Sequence, residues 1–273
     1  MDKKSRFGGK KKEKLIDSFD LNCWKIFDIS LFSRGMSEVL KIVEGWIESE
    51  AKSKWIATIN PEFIMKAVKN DEFRALLKKT DLNVMDGVGL LWAREVGNGK
   101  NWLKAGFEVM MGKYREGLVT GADLMPELCK LASKKAYKVF FLGGFEDRAK
   151  RTAMYFSDNC QMTNDKIGWC AGEPDIKNEE VIEQINRFRP DILFVAYGMK
   201  RQEEWIKNNR DKADFGVAIG VGRSFDYYSG DLKRAPEIWR KMGMEWLYSL
   251  IKEPKRIKRQ LELPKFMWKV LTD

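Results

Sequence analysis

Two stretches decide how this chain folds: Trp55-Ile56-Ala57-Thr58-Ile59-Asn60-Pro61-Glu62 and Leu82-Asn83-Val84-Met85-Asp86-Gly87-Val88-Gly89. The first is an apolar run that ends in short polar side chains, with Pro61 placed to start a helix. Periodic Phe63, Ile64, Ala67 and Val68 then continue at helical spacing. The second is another short apolar-containing run that ends in Asp86 and two glycines. Both predict a strand whose carboxyl end carries polar groups and turns directly into a helix. In open α/β sheets that rim is where ligands bind.

The same alternation continues outward. Strands are predicted over 24–29, 138–142, 192–197 and 215–219, and helices over 37–50, 88–96, 121–135, 147–158 and 178–188. The stretch 101–114 reads as a helix or helical flap, and a further helix begins at Gln202. This order predicts an α/β fold: a Rossmann-like, mostly parallel sheet covered by helices, with right-handed crossovers. The glycine turns Gly143-Gly144 and Gly220-Val221-Gly222 follow strands and fit that architecture. Three regions are expected: a basic tail over 1–20, an α/β core over 21–234, and a helical appendage over 235–273.

Composition narrows the chemistry. The chain has 273 residues and no histidine. A Cys/His zinc site and a Ser-His-Asp or Cys-His device are therefore excluded, and a general base must be Asp, Glu, Lys or Tyr. The cysteines Cys23, Cys129, Cys160 and Cys170 show no CxxC spacing and read as reduced thiols of a cytosolic protein. The basic N-terminus is not followed by an apolar segment, so no secretory signal is expected. Net charge is +10, of which residues 1–14 carry +5 and residues 233–273 carry +6, leaving −1 for the middle. Cationic ends suit an anionic membrane leaflet or nucleic acid. In the C-terminal part Trp239, Met242, Trp246, Leu247, Leu250 and Ile251 recur at helical spacing. Arg256, Lys258 and Arg259 follow, then Phe266, Met267 and Trp268. That pattern fits either a helix at a membrane interface or an amphipathic helix docked on the body.

Each polar motif also has a plain structural reading. Asp86 can be a turn former before glycine, Asp226 a helix cap, and Gln202-Glu203-Glu204 a solvated first helical turn. Taken together and in order, however, the motifs carry a resemblance. Thr58-x-Asn60-Pro61-Glu62, Asp86-Gly87-x-Gly89, Thr120-Gly121-Ala122-Asp123-Leu124 and Phe141-Leu142-Gly143-Gly144 come first. Gly198-Met199-Lys200-Arg201-Gln202-Glu203-Glu204-Trp205, Gly220-Val221-Gly222-Arg223-Ser224-Phe225-Asp226 and Arg234-Ala235-Pro236 follow. Glu245-Trp246-Leu247-Tyr248-Ser249-Leu250 and Glu253-Pro254-x-Arg256-x-x-Arg259 come last. From about residue 24 to 260 the chain resembles the WecG/TagA/CpsF family of glycosyltransferases.

That resemblance implies transfer of an N-acetylmannosamine-like or related sugar from a UDP-sugar to a polyprenyl-diphosphate-linked sugar. It implies inversion at the anomeric carbon, no cofactor and no bound metal. The setting would be the inner face of the cell membrane, with the protein peripheral and cytoplasmic, in teichoic acid or exopolysaccharide synthesis. Asp86 maps to the catalytic base. Thr58, Asn60 and Gln202 map to substrate contacts, and Arg256 and Arg259 to arginines that reach the diphosphate. Gly143, Gly144, Gly222 and Asp226 fall on the nucleotide side. Three positions depart from the family pattern. Leu118 and Ser249 stand where arginines are usual, and Met199-Lys200-Arg201-Gln202 lacks the usual proline. Arg115 or Lys113, in a stretch inserted after Asp86, are the candidates to replace the first arginine.

Two other function classes remain open on sequence alone. A nucleic-acid-binding α/β protein would use the cationic ends, although with this resemblance no nucleic acid is expected. A non-catalytic nucleotide-sugar-binding protein would follow if Leu118 and Ser249 mark lost phosphate contacts. An apolar patch left by a mobile appendage would favour a homo-oligomer.

Overall fold

The structure, a computed structural model, describes residues 23–172 and 178–273; the basic segment 1–20 lies outside them. In chain order the elements are β1 (Cys23–Ile26), β2 (Ile29–Phe32), α1 (Met36–Glu48), β3 (Lys54–Ile59), α2 (Pro61–Lys69), α3 (Asp71–Leu77) and β4 (Leu82–Met85). Next come α4 (Val88–Gly97), α5 (Trp102–Met110), α6 (Gly121–Lys135), β5 (Val139–Gly143), α7 (Arg148–Cys160) and β6 (Ile167–Cys170). Then follow α8 (Asn178–Phe188), β7 (Ile192–Ala196), α9 (Arg201–Asn209), β8 (Val217–Gly220) and α10 (Ser224–Tyr228). Four C-terminal helices complete the chain: α11 (Glu237–Lys241), α12 (Glu245–Lys252), α13 (Ile257–Gln260) and α14 (Glu262–Thr272).

The strands form one eight-stranded sheet in the order β1-β2-β4-β3-β8-β7-β5-β6, and its pairs are parallel except β1 with β2. The central strands are apolar on both faces because both faces are covered. In β3, Trp55, Ala57 and Ile59 enter a core with α2, α3, α4, α9 and α14. Ile56, between them, points to the opposite core with α1, α6 and α7. Phe141 on β5 packs in that second core, with its ring 5.6 Å from Phe156 and 5.4 Å from Phe194. The architecture expected from the alternation of strands and helices is therefore present.

Some elements differ from the sequence reading. The single strand expected over 24–29 is a hairpin, because Phe27 and Asp28 both take positive φ (45° and 64°) and reverse the chain. The edge strand β6, Ile-Gly-Trp-Cys, is four residues long and broken by Gly168, and the sequence reading does not anticipate it. Helix α3 is a separate helix: Asn70 breaks from α2 in extended geometry and caps α3 by accepting from the Phe73 N–H at 2.7 Å. The last helix is docked on the body, where it packs on α2 and α4, and Phe266 is fully buried. Among the described residues no helix is long and apolar enough to cross a membrane.

Truncating Phe266 would leave a cavity in that contact. Phe266→Ala is expected to lower unfolding free energy by about 3–5 kcal/mol in urea titration. A loss below about 1 kcal/mol would show that α14 is undocked in solution.

Candidate active site

The carboxyl edge of the sheet carries the polar groups. Thr58 and Asn60 stand at the end of β3, Asp86 just past β4, and Gly220-Val221-Gly222 past β8. Gln202 lies on the first turn of α9, just beyond β7. The cleft there has two chambers of about 250 Å³ and about 280 Å³. Asn60, Asp86 and Thr120 border both, as do Glu245, Trp246, Arg259 and Gln260 from the C-terminal helices. The body thus supplies the floor of the cleft and the C-terminal segment its roof.

Asp86 is held at the junction. Its backbone N–H donates to the Ile59 carbonyl at 2.6 Å, which continues the β3–β4 ladder one residue past the strand. Gly87 then turns the chain at φ +125°, a conformation that side-chain-bearing residues rarely adopt. The carboxylate accepts a hydrogen bond from Gly121 N–H at 3.3 Å, at the start of α6. Burial pushes the Asp86 carboxyl up to about 7, and the neighbouring Glu245 and Asp123 push the same way against the opposing Gly121 N–H and Arg234. Such a group gains and loses its proton near neutrality, which is what a general base requires.

The second chamber is polar. Thr58 Oγ1 donates to the Gly220 carbonyl at 2.8 Å and ties β3 to β8 beneath the cleft. Gln202 is almost wholly buried: its Nε2 donates to Glu203 Oε1 at 2.7 Å, and its Oε1 accepts from Gly222 N–H at 2.9 Å. Glu203 Oε2 accepts from Lys200 N–H at 2.8 Å, so the amide is fixed from behind. A Cβ at Gly220 would lie 2.6 Å from Gln202 Nε2, and only glycine permits this approach. Gln202-Glu203 is thus a buried network rather than a solvated helical turn. Burial raises the Glu203 carboxyl to about 7.

Arg223, Tyr227 and Arg234 also border this chamber. Arg234 Nη1 donates to Asp123 Oδ1 at 2.6 Å and its Nε to Glu245 Oε1 at 3.1 Å, bridging body and roof. Arg223 Nη2 donates to Glu253 Oε1 at 2.7 Å. The first chamber is bordered by Val88, Leu118 and Leu263 together with Arg115 and Arg240. Arg259 is paired with Glu62 through Nη2 at 2.8 Å and Nε at 3.1 Å.

The anticipated residues separate into two groups. Thr58, Asn60, Asp86, Gln202, Gly222 and Arg259 come together around the cleft. Gly143, Gly144 and Asp226 line neither chamber. Asp226 faces Arg148 at 2.9 Å and Arg223 at 3.6 Å, next to the cleft. Arg256 lies in the short turn Pro254–Arg256, and its side chain is outside the described residues. Arg115, one of the two candidates to replace the missing arginine, does reach the first chamber. Arg223, Arg234 and Trp246 border the cleft and Glu203 holds Gln202 from behind; the sequence does not single them out, although each sits inside a quoted motif. Only the fold brings them to this cleft.

The two raised carboxyls have a stability signature. Between an unfolded carboxyl pKa of about 4 and a folded one near 7, the native state holds protons that the unfolded state has released. Stability therefore falls as pH rises through that window, and levels off above it. Melting temperature is expected to drop between pH 5 and 7.5, with a shallower slope in Glu203→Gln. An unchanged slope would show that Glu203 is already ionised when folded.

Residues 24–273 match the model of the glycosyl transferase WecG/TagA/CpsF family. The chain is 33% identical over 221 residues to an N-acetylglucosaminyldiphosphoundecaprenol N-acetyl-beta-D-mannosaminyltransferase of Bacillus subtilis, covering 80% of this chain and 79% of that one. It is 31% identical over 216 residues to the Staphylococcus aureus (strain MW2) protein of the same name, with 79% of each covered. With its polar strand ends, its half-buried Asp86 and this match over nearly all its length, the chain belongs to the WecG/TagA/CpsF family of glycosyl transferases.

Proposed function

We propose that the protein is an inverting glycosyltransferase. It moves an N-acetylmannosamine-like sugar from a UDP-sugar to a polyprenyl-diphosphate-linked N-acetylglucosamine at an anionic membrane surface on the cytoplasmic side. The observation that carries the reading is Asp86: a carboxyl with its proton poised near neutrality, at the junction of two chambers large enough to meet over it. The names of the relatives supply the sugar and the acceptor class.

The chemistry needs one in-line displacement. An acceptor hydroxyl oxygen attacks the anomeric carbon, the bond from that carbon to the UDP oxygen breaks, and the hydroxyl proton passes to Asp86. UDP leaves with the bonding electron pair. Its developing charge is met in the polar chamber by Arg223 and Arg234, with Thr58, Gln202 and Gly222 shaping the sugar end. The acceptor occupies the other chamber, where Arg115, Arg240 and Arg259 stand among apolar Val88, Leu118 and Leu263. Asp226 sits behind Arg223 and sets its position through charge. Arg259 reaches the acceptor diphosphate by exchanging Glu62 for phosphate.

Asp86→Asn removes the proton acceptor and is expected to lower turnover about 10²-fold or more in a UDP-release assay with the lipid-linked acceptor. Wild-type rates in that variant would overturn the assignment. UDP-sugar binding without any UDP release by the parent protein would mark a nucleotide-sugar-binding protein instead. Turnover of the parent should rise as pH passes about 7 and then level, because Asp86 accepts a proton only when ionised. A flat profile from pH 5.5 to 8.5 would place the base elsewhere.

A further inference from the structure

Helix α5 is apolar on both sides. Toward the body, Ala105 and Val109 enter the core, and Glu108 accepts from the Tyr114 hydroxyl at 2.5 Å and pairs with Lys100 and Lys113. Lys100 in turn donates to Glu95, which is buried, at 2.6 Å. The outward side is apolar, with Leu103 60%, Phe107 66%, Met110 54% and Met111 68% exposed. Leu103, Phe107 and Met110 follow at i, i+4 and i+7, so they form one stripe. Trp102 is exposed at the start of the helix and Lys104 beside the stripe. A water-facing helix ordinarily presents a polar outward face.

The stripe continues onto the C-terminal segment. Arg115 Nη1 donates to the Arg240 carbonyl at 2.5 Å, and a Cβ at Gly112 would lie 3.6 Å from the Lys241 carbonyl oxygen. These contacts join the end of the α5 segment to α11, whose Ile238 and the following Met242 are also exposed. Arg115, Arg240 and Gly243, at this same junction, border the first chamber.

We propose that α5 is a bilayer-inserting wedge beside the mouth of the acceptor chamber, and that α11 extends it. This rests on the reading of that chamber as the site of a polyprenyl-linked acceptor. Such an acceptor has its hydrocarbon chain in a membrane, so a bilayer must lie at the chamber mouth, where the stripe stands. The charges beside the stripe are complementary to anionic headgroups: Lys104, Lys113 and Lys241 are exposed, and the C-terminal segment carries +6. Leu103, Phe107, Met110 and Met111 enter the acyl boundary while the basic groups remain at headgroup level. The insertion after Asp86 thereby gives the enzyme a second, apolar hold on the membrane, separate from its C-terminal arginines.

The test is flotation of the full chain with vesicles of phosphatidylcholine containing phosphatidylglycerol, comparing the parent with Phe107→Ser/Met110→Ser. Both positions are exposed, so the fold is retained, which the melting curve checks. Withdrawing two large apolar side chains from the acyl boundary should weaken partitioning roughly 10-fold or more. Turnover of a lipid-linked acceptor in vesicles should fall with it, while turnover of a water-soluble short-prenyl analogue stays at the parental rate. Equal flotation of variant and parent would overturn the wedge. So would a parent that is a dimer in light scattering and a variant that is a monomer with unchanged flotation, since the stripe would then serve a second copy. Normal flotation with no turnover of any acceptor would instead remove the proposed reaction and leave the membrane contact standing.

Discussion

Covering a parallel sheet on both faces leaves only its edges for chemistry, and every other feature of this protein follows from that constraint. The strands around β3 are apolar on both sides because helices bury both sides. A polar side chain can then reach solvent only where a strand ends. Thr58, Asp86 and Gly222 are at such ends, and Gln202 begins the helix after one. The hydrogen bond from Asp86 N–H to the Ile59 carbonyl shows how closely the cleft depends on the ladder: Asp86 is one residue beyond the last paired strand residue.

A rim of this kind is open, and the C-terminal segment closes it. The closure relies on charge pairs, with Arg234 to Glu245, Arg223 to Glu253 and Arg259 to Glu62. Beyond them, Phe266 anchors the final helix in the core. The anchor and the pairs differ in kind. Apolar burial holds α14 firmly, the Arg234 and Arg223 pairs are largely shielded, and the half-exposed Arg259–Glu62 pair is the weakest tie. The proposed exchange of Glu62 for phosphate falls on that weakest tie.

The same enclosure has a cost in stability. Asp86 and Glu203 are each pushed to about 7 by burial, so ionising them in the folded state is unfavourable. For Asp86 this is the property that the proposed role as a base near neutral pH requires. For Glu203 the gain is a fixed Gln202 amide, since the carboxyl accepts from that amide and from Lys200 N–H together. The fully buried Glu203 and the half-buried Asp86 thus both lower stability when ionised.

The strand and helix periods, the glycine turns and Pro61 make the α/β order legible in the sequence, because backbone preference and two-sided burial act locally. The Phe27-Asp28 reversal and edge strand β6 are not legible there: two positive φ values and a four-residue strand broken by glycine leave no periodic trace. The absence of histidine and the strand-end position of Asp86 confine the choice of base by residue type and position in the chain. The sequence alone leaves Asp86 a turn former or a base, Gln202-Glu203 a solvated turn or a site, and the C-terminal helix docked or free. The tertiary structure docks the C-terminal helix through Phe266, makes Gln202-Glu203 a buried network and raises the Asp86 carboxyl beside the cleft, because burial is a property of the whole packed chain rather than of any segment.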